Sequence, residues 1–240
     1  MGKPEFVRRR LTYMPHISVI IPTCDRPEFL QDAVNSVLSQ TYQDFELLIV
    51  NDGSRPIQHF ADPRIRILDG KQRGAVPARN LGVQSAQGDV IAFLDDDDVW
   101  TARDHLAFAV KSGADFFFAD GVMKFPNGDS KIFAHDADAK SLELNNTILI
   151  SAVCYKKSMH AALGAFDEYL PYYWDWDWYL RIARAGATLQ RRALPVVDIR
   201  VHENNMSGQS NMLARHANLN LFCAKHALEN VVLKGHIDFV

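Results

Sequence analysis

Four consecutive aspartates, Asp95, Asp96, Asp97 and Asp98, directly follow the apolar run Val90, Ile91, Ala92, Phe93 and Leu94. Carboxylates crowded at the end of a buried strand repel one another strongly, because Coulomb energies rise as the local dielectric falls. A divalent cation relieves that repulsion, and hard oxygen ligands suit Mg or Mn. Such ions are often held by one or two protein carboxylates, with phosphate oxygens and water completing the shell, so the run predicts a metal-assisted diphosphate site. Alternation along an extended segment puts Asp95 and Asp97 on one side and Asp96 and Asp98 on the other. The competing reading is a solvated acidic turn in which Asp98 or Thr101 caps the next helix.

The elements that would position this run alternate between strand and helix. Residues 16–21, 45–50, 64–68 and 89–94 form short β-branched segments, three of them nearly continuous apolar runs, as expected of parallel strands covered on both faces. Between them, apolar residues recur on one helix face from Phe29 to Leu38 behind Pro27, and again from Ala78 to Ala86 before Gly88. The pattern predicts an α/β fold with a wound, mainly parallel sheet and right-handed crossovers. Ligands of such sheets bind where loops leave the carboxyl ends of the strands, and the loops at 23–26, 51–55 and 95–98 each carry an aspartate. In the less regular second half, strands are expected at 115–119 and 131–134 with a turn at 125–128 between them. Helices are expected at 175–185 and 211–233, and a polar loop at 202–209.

Three stretches carry a resemblance to a known family: SVIIPTCDRPEFLQDAVNSVLSQTYQDFELLIVNDGS, GAVPARNLGVQSAQGDVIAFLDDDD and WDWDWYLRIARAG. In this order and at these separations they resemble the family 2 glycosyltransferases, over residues 16–186. The resemblance implies a GT-A fold: a Rossmann-like nucleotide-binding half on the parallel sheet and a smaller mixed sheet on the acceptor side. It also implies inverting transfer of a sugar from a nucleotide diphosphate donor, uridine-based by expectation, to a carbohydrate or other hydroxyl-bearing acceptor, with Mg or Mn as cofactor. The whole chain, 1–240, would be one domain: an N-terminal tail at 1–15, a nucleotide-sugar half at 16–120, an acceptor and catalytic half at 121–208 and a C-terminal helix at 209–240.

By the same resemblance, Thr23, Asp25, Asp52 and Arg79 would lie against the nucleotide and Asp96 near the ribose. Asp97 would coordinate the metal, with Asp95 beside it and His202 as a further ligand, while the register within the aspartate run stays open by one residue. Inverting displacement needs a base to take the acceptor proton. In similar enzymes it is an aspartate at the start of a helix, which matches Asp175, with Asp177 as the alternative; either would also favour the positive end of that helix. Trp174 stands where the family carries an acid. Arg200 would offset diphosphate charge if its strand stays regular. Tyr172, Tyr173 and Trp174 offer flat apolar faces with polar edges for an acceptor, whereas Trp178 and Tyr179 belong to the core.

Composition narrows the alternatives. A formal charge of -3 from 26 basic and 29 acidic residues supplies no field for nucleic acid. Cys24, Cys154 and Cys223 lack metal-ligand spacing, and no segment approaches a transmembrane length, so a cytoplasmic protein is expected, with peripheral membrane contact only through Arg8, Arg9 and Arg10. A sugar-phosphate nucleotidyltransferase is a competing enzyme class, but Pro22, Thr23, Cys24, Asp25 and Arg26 do not form its Gly-rich triphosphate loop. A nucleotide-sugar-binding protein without turnover is the non-enzyme alternative.

Overall fold

The structure, a computed structural model, describes residues 16–202, 211–234 and 238. Strands β1 (Ile17–Thr23), β2 (Phe45–Asn51), β3 (Ile65–Asp69) and β4 (Val90–Phe93) pair in parallel in the order β3-β2-β1-β4. All of β1 is buried, which is why its sequence reads as an apolar run rather than an alternating one. Helix α1 (Pro27–Leu38) packs Leu30, Ala33, Val34 and Val37 against Ile17, Val19 and Ile21 on one face of the sheet. Helix α2 (Ala75–Ser85) packs Val76, Ala78 and Val83 with Ile20, Leu48 and Val50 on the other. The two helices thus enclose the first half of the sheet and leave its carboxyl edge open.

The mixed half is a continuation of the same sheet. After β5 (Val99–Trp100) and α3 (His105–Ser112) come β6 (Phe116–Lys124), β7 (Ser130–Phe133), the short α4 (Ala139–Leu142), β8 (Val153–Lys156) and α5 (Ser158–Leu163). Then follow α6 (Trp174–Arg184), β9 (Leu189–Arg200) and α7 (Met212–His226). Among the described residues nine strands run β3-β2-β1-β4-β8-β6-β9-β5, with β7 paired to β6. Strand β8 is antiparallel to both β4 and β6, while β6 and β9 are parallel across a register shift at Asp120.

Several sequence expectations change here. Helix α2 ends at Ser85 with Ala86 extended, so Gly88 is no helix terminator; a Cβ there would lie 2.7 Å from the Ile17 carbonyl carbon and the Ser18 nitrogen, and close backbone approach demands the glycine. Strand β6 continues five residues past the expected end at 119, while α7 stops at His226, where Ala227 takes the left-handed conformation at φ 53°. Neither Asp98 nor Thr101 caps α3, whose N-cap position is Asp104. The segment 95–98 is a turn closed by Asp98 N donating to Asp95 O at 3.1 Å, so strict alternation does not apply to it. The tail at 1–15 with its arginines, and the polar loop from 203 to 209, lie outside the described residues. No described helix is long and apolar enough to cross a membrane.

Candidate active site

The carboxyl ends of β1, β2 and β4, the N-termini of α2 and α6, and the segment before β8 surround a cavity of about 470 Å³. At its acidic end the aspartate turn divides its carboxylates. Asp96 points to β1, accepting from Thr23 Oγ1 at 2.7 Å and from Arg26 Nη1 at 3.2 Å. Burial pushes its carboxyl up to about 6, against the pull of the Thr23 hydrogen bond. Asp95, Asp97 and Asp98 bring one oxygen each to within 4.8 Å of one another. Asp98 is therefore not a helix cap but a buried acid, accepting from Ser151 Oγ at 2.5 Å and Arg200 N at 3.2 Å; burial and then the charges of Asp97 and Asp95 hold it well above the usual carboxylate range.

Two arginines and a histidine stand around this cluster. Arg26 Nη1 lies 2.7 Å from Asp97 Oδ2, and His202 Nε2 lies 2.9 Å from the same oxygen with its ring stacked on Phe29. Arg79 pairs with Asp95, donates to Ala75 O at 3.1 Å and lies 4.6 Å above the Trp174 ring. Burial raises the Asp95 carboxyl, and the Arg79 charge opposes that rise.

Asp52 follows β2 and accepts from Arg73 N at 2.8 Å and Gly74 N at 2.7 Å, which fixes the loop before α2 beside it. The chain passes so close that a Cβ on Gly70 would lie 2.8 Å from Asp52 Oδ1. Asp25 is turned differently from the expectation. Its carboxylate accepts from Ser54 N and Oγ and from Arg55 N at 2.9–3.2 Å, bracing the loop after β2 outside the cavity lining, and those backbone hydrogen bonds hold it below the usual range.

At the start of α6, Asp175 lines the cavity. Asn146 Nδ2 donates to its Oδ2 at 2.9 Å and Trp176 N to its Oδ1 at 2.8 Å. Burial nonetheless raises its carboxyl above the ordinary value. Asp177, two residues on, is fully buried on the other side of the helix, bound by Arg181 Nε at 2.9 Å, Lys225 Nζ at 2.7 Å and His226 Nε2 at 2.8 Å. It joins α6 to α7 and does not face the cavity, which removes it as the alternative base. Tyr172, Tyr173 and Trp174 all line the cavity, Tyr172 at its half-buried rim and Trp174 edge-on against Phe93 and Phe166; Trp178 and Tyr179 are core.

Arg200 corrects another expectation. Its guanidinium bonds Asp32 on α1 at 2.6 Å and lies over Phe29, while its backbone N–H donates into the site, to Asp98. Three further side chains stand in the site with no role assigned from the sequence: Arg26, Ser151 and Asn146. Arg26 sits beside Asp25 on a loop at the carboxyl end of the same sheet as the acidic run and could have been found from that placement, whereas Ser151 and Asn146 meet the aspartates only through long-range folding.

Among the described residues, a nine-stranded sheet half parallel and half mixed, with an acidic cavity at its carboxyl edge, has the GT-A fold. Residues 18–162 match the model of glycosyl transferase family 2, and the chain belongs to that family. Over 183 residues, 70% of the chain, it is 34% identical to an uncharacterized glycosyltransferase, YwdF, of Bacillus subtilis, covering 68% of that protein. It is 33% identical over 113 residues to the UDP-Glc:alpha-D-GlcNAc-diphosphoundecaprenol beta-1,3-glucosyltransferase WfgD of Escherichia coli, covering 43% of this chain and 45% of the relative. Against an uncharacterized glycosyltransferase of Rickettsia felis the match spans only 19% of that relative's length. The fold is shared with TarS 1-349 of S. aureus in complex with UDP-GlcNAc (TM-score 0.65, 17% identity, 91% of this chain and 68% of that one). It is shared too with the mannosyltransferase PcManGT of Pyrobaculum calidifontis in complex with GDP-Man and Mn2+ (TM-score 0.64, 18% identity, 95% and 68%).

Proposed function

We propose that this glycosyltransferase moves a sugar from a nucleotide diphosphate donor, a uridine one, to an acceptor hydroxyl with inversion and with the help of a divalent cation. The observation that carries the reading is the convergence of Asp52, the aspartate turn and Asp175 on one cavity, with Asp175 oriented by Asn146 and raised in pKa by burial. In this reading the acceptor oxygen attacks the anomeric carbon while its proton passes to Asp175. The bond from that carbon to the diphosphate oxygen breaks, and the nucleoside diphosphate leaves with the electron pair. Asp52 and the loop after β3 receive the base, Thr23 and Asp96 the ribose, and the acceptor lies against Tyr172, Tyr173 and Trp174. The donor half is then 16–120 and the acceptor half 121–208 of a single domain.

The donor set suits Mg or Mn: hard carboxylate oxygens gathered within 4.8 Å, with the hydrogen bonds from Arg26 and His202 both falling on Oδ2 of Asp97. Asp97 and Asp95 would hold the ion with His202 beside them, and its chemistry there is neutralisation of charge on the departing diphosphate. Support for the donor class comes from the UDP-Glc named for the E. coli relative and the UDP-GlcNAc and GDP-Man of the two structural neighbours; the Mn2+ of PcManGT supports the cation.

A thermal-shift panel of nucleotide sugars with Mn2+ or with EDTA tests this. One donor is expected to raise the melting temperature with Mn2+ and to lose most of the effect in EDTA. A panel in which no nucleotide sugar stabilises the protein, with or without metal, overturns the reading.

A further inference from the structure

Trp174 opens α6 one residue before Asp175, yet its ring packs against the donor half of the chain. It is 5% exposed and lies edge-on to Phe93 at 6.4 Å and to Phe166 at 4.8 Å. Phe93 ends β4, just before the aspartate turn. Phe166 is fixed to α2 by a paired amide contact: its N–H donates to Asn80 Oδ1 and its carbonyl accepts from Asn80 Nδ2, both at 3.0 Å. The first turn of the helix that carries the base is thereby wedged between the strand leading to the metal-ligand aspartates and the helix that carries Arg79.

What the indole adds to this packing is a seat for that arginine. The Arg79 guanidinium lies 4.6 Å from the ring centroid, and the residue is 6% exposed. Its hydrogen bonds are few for a buried arginine. Nη1 donates to Ala75 O at 3.1 Å and Nη2 to Asp95 Oδ1, while Nε is buried with no partner among the described residues. Taking a guanidinium out of water is costly, and the negative face of an aromatic ring offsets part of that cost, best for an indole and where water is excluded. Such a face accepts no conventional hydrogen bond, so Nη2 stays with Asp95; a carboxylate in place of the indole would compete for it. With Oδ1 held by Arg79, Asp95 has Oδ2 left to offer a cation. Burial dominates at Asp175 and the Arg79 charge opposes it, so the same guanidinium acts on the base as well.

We infer that Trp174 is a positioning residue for the donor side of the reaction: its indole face holds Arg79, and Arg79 holds Asp95 in place for the divalent cation. This rests on the metal-assisted glycosyltransferase reading above and deepens it. It gives the indole a second role beside that of acceptor wall, and it ties the geometry of the base to that of the metal ligands through one side chain.

Calorimetric titration of Mn2+ into the full chain with UDP present tests it, because a ring that only walls the acceptor has no effect on that affinity. Trp174→Leu keeps an apolar side chain and removes the aromatic face; it is expected to weaken Mn2+ binding by about fivefold, whereas Trp174→Phe, which keeps a face, should stay within about twofold of the native chain. Arg79→Gln should weaken Mn2+ binding by about fivefold or more. In that background Trp174→Leu should have no further effect, since both changes break one linkage. Native affinity in Trp174→Leu, phenylalanine no better than leucine, unchanged or tighter binding by Arg79→Gln, or additive losses in the double variant each overturn the inference. Should Trp174→Leu fail to fold, Trp174→Met, a more adaptable filler, takes its place in the same cycle, and Arg79→Gln is decisive by itself. Absence of Mn2+ binding by the native chain refutes the metal-assisted reading beneath the inference, whereas native binding untouched by Trp174→Leu refutes the inference alone.

Discussion

Arg26 Nη1 lies 2.7 Å from Asp97 Oδ2 and 3.2 Å from Asp96 Oδ1, so one guanidinium from the loop after β1 spans two neighbouring carboxylates of the loop after β4. The guanidinium is one-third exposed, and it supplies positive charge where the proposed cation would also supply it. The two therefore compete for Asp97.

Removing that competitor should tighten metal binding. Arg26→Gln is expected to raise Mn2+ affinity by roughly fivefold, the equivalent of about 1 kcal/mol for a partly exposed ion pair. Electron paramagnetic resonance of free Mn2+ during titration reads this directly. Weaker Mn2+ binding by the variant would mean that Arg26 organises the site rather than competing for it.

Asp175 must be ionised to accept a proton, and burial raises its carboxyl above the ordinary 3.8. The acid limb of kcat/KM is therefore expected above pH 3.8, with activity falling as pH drops through the raised value. Asn146→Ala removes a hydrogen bond that favours the carboxylate and should move the limb further up. Asp175→Asn should keep donor binding and lose transfer by on the order of 100-fold or more. Normal transfer by Asp175→Asn excludes it as the base.

Asp177 makes the opposite kind of prediction, on stability. Burial raises its carboxyl, but the hydrogen bonds from His226 and Lys225 and the charge of Arg181 outweigh that and hold it below 3.8. A depressed carboxylate contributes stability above its unfolded value and loses it as pH falls through the folded one. Asp177→Ala should cost about 3 kcal/mol or more at neutral pH, since it leaves partners of a buried ion pair uncompensated. Denaturation followed in urea should show the gap to the native protein narrowing below pH 3.8. A gap that widens in acid would contradict this account.

Ser151 is wholly buried; its hydroxyl donates to Asp98 and accepts from Asp95 N at 3.0 Å, while Trp100 Nε1 donates to its carbonyl at 2.6 Å. Ser151→Ala strands a buried carboxylate oxygen and a backbone N–H, at a cost of about 1–3 kcal/mol. Chemical denaturation measures that loss, and Ser151→Thr should not reproduce it if the hydroxyl alone matters. Unchanged stability in the alanine variant would mean that water takes over both bonds.

What the sequence determined by itself is local and periodic. The buried strands β1 and β2 declare themselves as apolar runs, α1 begins at Pro27 where its sequence says it should, and α6 carries its first-turn aspartates as the motif implies. The motifs likewise name Asp52, Asp95, Asp97 and Asp175, which all come to one cavity. Direction and partnership were decided only by tertiary structure. A turn replaces the extended geometry at 95–98, and that turn brings Asp98 rather than Asp96 to the cluster. Asp177, paired with Arg181 on its own helix, is also tied to α7, and Arg200 to α1, because each side chain finds a further partner on an element 48 or more residues away, Lys225 and His226 for the first and Asp32 for the second. Ser151, Asn146 and Arg26 enter the site the same way. Periodicity encodes which face of an element is buried, but the pairing of polar groups across the sheet is a property of the packed chain, where each buried charge must be satisfied by whatever the fold brings beside it.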